Sequence, residues 1–183
     1  TLDCFHPDRD RETACRGNGE RDMRRYAEYM RNQVTELLTG YGPIDILWFD
    51  FSYTHLAGGK GRSDWESERL LELARRLRPG ILLDDRMDLP GAGDFVSPEQ
   101  IIPRRAPHDG SGHPVPWEGC HTFSGSWGYH RDEMYWKSSR QLIGILIKHV
   151  ARGGNILMNA GPTGRGNFDL RAERALEIYA GWM

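Results

Sequence analysis

The sequence has 183 residues, 38% hydrophobic and 27% charged, which is enough apolar chain for one packed domain. Its formal net charge is -2, and no block of lysine or arginine suggests a nucleic-acid or anionic-membrane partner. Three irregularly spaced cysteines, Cys4, Cys15 and Cys120, predict neither a zinc ribbon nor a disulfide framework. No apolar run approaches the length of a membrane-spanning helix.

The hydrophobic pattern predicts helices that alternate with short strands. In chain order, we predict a helix at residues 20–39, a strand at 44–50, a helix at 64–78, a strand at 81–86, a long irregular loop at 87–134, a helix at 135–152, a strand at 155–159 and a helix at 169–182. The helices rest on apolar residues at three- and four-residue spacing, and the strands on short β-branched and aromatic runs. The long loop holds Trp117, Phe123, Trp127 and Tyr129 among its aromatic residues, which argues for an ordered, functional segment.

Such alternation implies an α/β fold with a parallel sheet covered by helices. A doubly wound sheet and a (β/α)8 TIM-like barrel both satisfy it. A complete barrel usually needs about 250 residues. If the fold is a barrel, we therefore expect residues 1–183 to form a partial barrel domain, roughly the second half, with the amino-terminal half missing.

Candidate chemistry lies where the predicted strands end, because barrel enzymes place their active residues there. Asp50 ends the first strand, where it either caps the next turn or belongs to a site that pairs with its charge. Arg86 ends the second strand, where it could hold a carboxylate or form a salt bridge at the barrel rim. Glycoside hydrolysis needs two carboxyl groups with different tasks, and Glu99 and Glu118 both lie in the following loop.

Other patterns favour no cofactor and no metal. His108, Asp109 and His113 superficially resemble a metal-binding cluster, but zinc sites need more ligands at defined spacing, and a solvated loop is the better interpretation. The glycine-rich stretch 161–166 lacks the lysine of a phosphate-binding loop. The sequence contains no Gly-x-Ser-x-Gly elbow, so nothing indicates a serine hydrolase.

Several motifs occur together and span nearly the whole chain. They are residues 37–44 with Trp48-Phe49-Asp50, then Asp84-Asp85-Arg86, Gly93-Asp94-Phe95 with Ser97-Pro98-Glu99-Gln100, Pro116-Trp117-Glu118-Gly119-Cys120, Ser126-Trp127-Gly128-Tyr129 and residues 153–163. In this order they resemble the α-L-fucosidases of glycoside hydrolase family 29. The resemblance implies a (β/α)8-like barrel and a retaining α-L-fucosidase that acts by double displacement through a covalent glycosyl-enzyme. The implied partner is a fucosylated glycan or glycoconjugate, and members are often secreted, periplasmic or lysosomal.

The same resemblance assigns roles to individual residues. It implies Asp50 as the nucleophile and Glu99 as the acid/base, with Glu118 as second choice. Trp48 and Arg86 match positions that touch the sugar, Trp127 is implied as a wall of the pocket, and His6 belongs to the sugar-binding set. Retention requires the two catalytic carboxyls to lie about 5 Å apart.

Two departures from the family keep alternatives open. Phe51 stands where many members have glycine, and Cys4-Phe5-His6-Pro7 stands where the family usually has Trp-His-His-Pro. Further sugar-binding histidines are implied in the missing half of the barrel, so the chain alone could lack activity. The alternatives are a non-catalytic carbohydrate-binding relative and a retaining glycosidase for a related sugar such as galactose. An apolar pocket would favour the methyl group of fucose, and a polar one a hydroxymethyl group.

Overall fold

The computed structural model describes residues 22–50, 52, 54–55 and 59–183. These residues fall into two compact units that divide after Phe95. His6, a predicted member of the sugar-binding set, lies outside the described residues, as do Phe5 and Phe51.

The first unit alternates helices with two short strands. Its elements are α1 (Met23–Gly40), β1 (Ile46–Leu47), α2 (Arg62–Trp65), α3 (Ser67–Leu77) and β2 (Leu82–Leu83). The strands pair in parallel, with Ile46 opposite Leu82 and Leu47 opposite Leu83, as the alternation predicts. Both strands are shorter than predicted because the chain leaves the ladder beyond Leu47. There the backbone N–H of Phe49 bonds to a side chain, Oδ1 of Asp84, at 2.9 Å.

The helix predicted at 64–78 is interrupted at Glu66. This residue has φ of 50°, in the left-handed region, and separates α2 from α3. Its carboxylate accepts hydrogen bonds from Arg31 of α1 and from Arg69. Next to it, the buried Ser67 hydroxyl donates to the carbonyl of Met87 at 2.6 Å. These tertiary bonds offset the unfavourable backbone conformation, and helical periodicity could not predict them.

The core of the first unit lies between its helices and strands. Its buried cluster consists of Val34, Leu38, Leu70, Ala74, Ile81, Leu83 and Met87. The members from α1 and α3 belong to the apolar stripes that predicted these helices. Each fully buried leucine contributes roughly 2 kcal/mol of transfer free energy.

The second unit contains a longer parallel pairing. Its elements are β3 (Glu118–Thr122), α4 (Ser139–Val150), β4 (Asn155–Asn159) and α5 (Leu170–Trp182). Five residues of β3 pair in register with β4, from Glu118 opposite Asn155 to Thr122 opposite Asn159. On the other side of β3, residues 96–100 run parallel to it, with bridges from Val96 to Trp117 and from Glu99 to Cys120.

The prediction of one irregular loop over residues 87–134 is wrong, because the loop contains β3. The strand sequence Glu118-Gly119-Cys120-His121-Thr122 has neither an apolar run nor a polar-apolar alternation. Its residues from Gly119 to Thr122 are nevertheless buried. Tertiary packing, which the local pattern does not express, therefore makes this strand.

Helix boundaries in the second unit follow capping chemistry. α4 begins only after Ser138, whose hydroxyl accepts the N–H of Gln141 while the Gln141 side chain accepts the N–H of Ser138. This capping box explains why the helix predicted from residue 135 starts later. α5 begins after Asp169, which accepts the N–H of Arg171, so the prediction at 169–182 is confirmed within one residue.

Two histidines are buried in the second unit. Nδ1 of His149 lies 2.8 Å from the carbonyl of Ile145, so this nitrogen carries a proton and donates it. Nε2 of His149 lies 3.3 Å from Nε2 of His121, within hydrogen-bond distance. Burial, and next the neighbouring His149, lower the pKa of His121 to about 4. The indole of Trp117 packs on His149 with ring centroids 4.9 Å apart.

Candidate active site

A cavity of about 210 Å³ opens beside the residues that follow β1 and β2 in the first unit. The carboxyl ends of parallel strands meet at this edge, where α/β proteins place their ligand sites. The lining residues are Tyr26, Met30, Gln33, Trp48, Phe49, Asp50, Trp65, Leu70, Arg86 and Met87. Most of them are apolar, and a carboxylate and a guanidinium are among the few polar groups.

Three of the predicted site residues meet at this cavity. Nη1 of Arg86 lies 3.5 Å from Oδ1 of Asp50. The side chain of Arg86 is 8% exposed and that of Asp50 is 45% exposed, so the buried cation supports a carboxylate that solvent and ligand can reach. Cζ of Arg86 lies 4.3 Å from the ring centroid of Trp48, a cation–π distance. Arg86 therefore orients both Trp48 and Asp50, which follow β1.

Further hydrogen bonds hold this edge of the cavity. The hydroxyl of Ser52 donates to the carbonyl of Arg86 at 3.0 Å, and Nε1 of Trp65 donates to that hydroxyl at 3.0 Å. Trp65 is buried and also packs edge-on against Tyr26. The arrangement ties the arginine backbone to α2 and α1.

Asp84 lies beneath the site rather than in it. It is fully buried, and its Oδ1 accepts the N–H of Phe49, the residue between Trp48 and Asp50. Burial raises the pKa of Asp84 to about 7, the bond from Phe49 opposes the rise, and the Asp85 charge adds to it. Sequence reasoning missed this residue as a functional candidate. The available signal is an aspartate at the end of an apolar strand, and Asp84 shares it with Asp50.

The helical residues that line the cavity were also missed. Tyr26 and Met30 belong to the apolar stripe of α1, and from the sequence they are indistinguishable from core residues. Only the folded structure shows that part of this stripe lines a cavity.

The two candidate acid/base residues lie on the parallel strands of the second unit. Glu99 is opposite Cys120, and Glu118 opens β3 opposite Asn155. Side chains alternate along a strand, so Glu99, Cys120 and Glu118 share one face of the sheet. Glu99 is level with Cys120, and Glu118 comes two residues before Cys120. Glu118 therefore lies roughly 7 Å nearer the amino end of β3 than Glu99 does.

The loop that carries Trp127 is fixed beside the carboxyl end of β4. Nδ2 of Asn159 donates to the carbonyl of Trp127 at 2.7 Å, and the Trp127 residue is 41% exposed. Gly161 approaches the loop so closely that a Cβ there would lie 2.6 Å from the carbonyl carbon of Gly128. The position is compatible with a pocket wall, and that role stays a prediction.

The segment around Asp109 is an exposed turn. Oδ1 of Asp109 accepts the N–H groups of Ser111 at 2.8 Å and His113 at 2.9 Å. In the part of the chain that the structure describes, no three His, Cys, Asp or Glu side chains are grouped so that they could hold a metal ion. None of the described helices is both long and apolar enough to span a bilayer.

We expect Asp84→Asn to be more stable than wild type at about pH 8 and close to it at about pH 4. The pKa of Asp84 is raised on folding to about 7, so the folded state retains a proton that the unfolded state has released. Its contribution to stability is therefore full below about pH 4 and is lost as the pH rises through about 7. A shift of this size corresponds to about 4 kcal/mol at most. Urea unfolding of both proteins at several pH values measures it, and a pH-independent difference would contradict it.

Comparison with known proteins gives one consistent family. A family model described as Alpha-L-fucosidase matches residues 1–183. The structure of α-L-fucosidase isoenzyme 1 from Paenibacillus thiaminolyticus superimposes with a TM-score of 0.81 at 38% identity, over 90% of this chain and 41% of that one. A GH29 α-L-fucosidase from Bacteroides thetaiotaomicron, described as a trapped covalent intermediate in complex with 2-fluoro-fucosyl fluoride, superimposes with a TM-score of 0.73 at 25% identity, over 87% and 39%.

A curated relative agrees. The plasma α-L-fucosidase of Homo sapiens is 29% identical over 169 residues, which cover 82% of this chain and 32% of that protein. The chain thus spans about a third of the length of the curated relatives it matches.

Proposed function

This chain belongs to the α-L-fucosidase family, and we propose that the protein that carries it hydrolyses α-L-fucosides in fucosylated glycans by a retaining double displacement. The observation that carries the proposal is the contact of Asp50, Arg86 and Trp48 at one cavity. A half-exposed carboxylate beside a buried guanidinium suits a nucleophile that must stay ionised and still reach its substrate.

The proposed chemistry has two balanced steps. An oxygen of Asp50 attacks the anomeric carbon while the bond to the leaving oxygen breaks, and the acid/base carboxyl gives that oxygen its proton. The same carboxyl, now ionised, takes a proton from water, which attacks the anomeric carbon and releases Asp50. The covalent intermediate of the Bacteroides relative supports this route.

The lining of the cavity supports fucose rather than galactose. Fucose has a methyl group where galactose has a hydroxymethyl group, and an apolar wall favours the methyl. Trp48, Trp65, Leu70 and Met87 provide such a wall. We assign the methyl contact to the Trp48 indole, since Trp48 and Asp50 both line the cavity.

For the acid/base we propose Glu99, with Glu118 as second choice. The two share a face of the sheet, and Glu99 lies nearer the carboxyl ends of the strands, where parallel α/β sheets place their chemistry. Glu118 is at the amino end of β3. We further propose that both parallel sheets belong to a (β/α)8 barrel, of which residues 1–183 form a partial catalytic domain. The similarity to the Paenibacillus structure supports this.

Aryl α-L-fucosides of different leaving-group acidity test the proposal in the complete protein. We expect Glu99→Ala to lose roughly 100-fold or more in kcat/KM with a poor leaving group, and little in kcat/KM with an activated one that needs no protonation, while kcat with the activated substrate falls because the second step has lost its base. Glu118→Ala is the matched control and should stay within a few-fold of wild type with both. Product stereochemistry, followed by NMR, should show retention.

Two results would redirect the proposal. A leaving-group-dependent loss in Glu118→Ala but not in Glu99→Ala would move the acid/base to Glu118. A folded wild type that binds fucose and cleaves no fucoside would leave the carbohydrate-binding relative as the function.

A further inference from the structure

The segment that carries the proposed nucleophile is held by a side chain from below. The β1–β2 ladder ends at Leu47, and at Phe49 the backbone N–H bonds to Oδ1 of Asp84 at 2.9 Å. Phe49 lies between Trp48 and Asp50, so a shift of the Phe49 peptide also moves Trp48 and Asp50. The position of this one oxygen therefore bears directly on the position of the Asp50 carboxylate.

Asp84 acts from outside the cavity. Its side chain is 0% exposed. Asp84 does not line the cavity, whereas its neighbours Trp48, Phe49, Asp50 and Arg86 do. A direct contact with substrate is thus not its role, and any influence on the reaction passes through Phe49.

Burying a carboxyl group here is costly, and packing alone does not explain it. Nε1 of Trp48 and Oδ2 of Asp84 are both buried without a hydrogen-bond partner in the part of the chain that the structure describes. The strand register, continued by one residue, places Trp48 opposite Asp84. Buried polar atoms without partners are rare in folded proteins and cost free energy, so their presence here calls for an explanation. An apolar side chain would fill the space at lower cost but could not accept the Phe49 N–H.

We propose that Asp84 is a positioning residue for the glycosidase reaction, which holds the Trp48–Asp50 segment through the Phe49 N–H so that the Asp50 carboxylate meets the anomeric carbon. The inference rests on the proposed function of Asp50. It requires an acceptor oxygen at position 84 and not a negative charge, so asparagine should replace aspartate.

The test measures how fast 2-fluoro-fucosyl fluoride labels the complete protein, by intact-mass spectrometry, alongside kcat for an aryl α-L-fucoside. A displacement of about 1 Å at a reacting group costs on the order of 100-fold. We expect Asp84→Ala to lower both rates by roughly 10- to 100-fold per folded molecule, and Asp84→Asn to restore them to within about threefold of wild type. If Asp84→Ala does not fold, Asp84→Val, which leaves less empty space, takes its place.

Asp94→Ala is the matched control for lost stability. Oδ2 of Asp94 accepts the Leu83 N–H at 2.8 Å and pairs with Arg75 at 2.6 Å, so it holds β2 as Asp84 holds Phe49. It does not line the cavity. We expect this variant to melt earlier but to label at the wild-type rate.

The outcomes separate the two claims. An active wild type whose Asp84→Ala and Asp84→Val variants label at full rate overturns the positioning role alone. Equal losses in Asp84→Ala, Asp84→Asn and Asp94→Ala overturn it too, since the effect would then follow stability. A folded wild type that neither cleaves nor labels overturns the proposed function and this inference together.

Discussion

Asp50→Ala should lower kcat for an activated aryl α-L-fucoside by at least roughly three orders of magnitude, as expected when a catalytic nucleophile is removed. Among the described residues that line the cavity, Asp50 alone carries a carboxylate, and it lies 3.5 Å from the Arg86 guanidinium. Added azide should restore part of the rate by attacking the anomeric carbon in the space left by the carboxylate. The fucosyl azide formed should have inverted configuration, because only one displacement then occurs.

Fold and activity can be separated in this experiment. The Asp50 side chain is 45% exposed, but its removal takes an ion-pair partner from the buried Arg86, so urea unfolding of the variant is measured as well and kcat is compared per folded molecule. Asp45→Ala is the matched control, since Asp45 is an exposed aspartate just before β1 and does not line the cavity. Full activity of Asp50→Ala would remove Asp50 from the mechanism, and rescue with retained configuration would assign it a role other than nucleophile.

The sequence predicts those site residues that lie at the ends of recognisable strands, and it does not predict those that tertiary packing brings to the cavity. Trp48, Asp50 and Arg86 stand just beyond short apolar strands, and parallel pairing brings strand ends together whatever the loops do. Their meeting at one cavity was therefore predictable. The cavity wall from α1 was not, because Tyr26 and Met30 follow the same periodicity as the buried Val34.

Asp84 and β3 could not be predicted from local sequence patterns, because contacts distant in the sequence determine them. The hydrogen bond from Phe49 to Asp84 joins residues 35 apart in the chain, and nothing in the local pattern distinguishes Asp84 from Asp85. The strand β3 is polar in sequence and buried in the fold, and its glycine at 119 marks a close approach, not a turn. Local patterns predict elements, but partners distant in sequence decide which polar residues are buried.

Gly119→Ala should destabilise the fold strongly, by about 3 kcal/mol or more. A Cβ at Gly119 would lie 2.0 Å from Nε2 and 2.7 Å from Cδ2 of His149. The His149 ring cannot withdraw, because it packs against Trp117 and lies 3.3 Å from His121, while its Nδ1–H bonds to Ile145. Moving it would break the hydrogen bonds of a fully buried imidazole. Urea unfolding of the complete protein measures the loss.

Gly144→Ala supplies the matched control, in the helix that carries His149. Gly144 lies inside α4, and a Cβ there would meet nothing within 4 Å. Because glycine is a poor helix former, alanine should stabilise by about 0.5–1 kcal/mol. Opposite signs for the two substitutions would locate the cost in the His149 contact. A Gly119→Ala protein as stable as wild type would mean that the His149 ring can leave its place between Trp117 and His121, and that the buried histidine pair is not rigid.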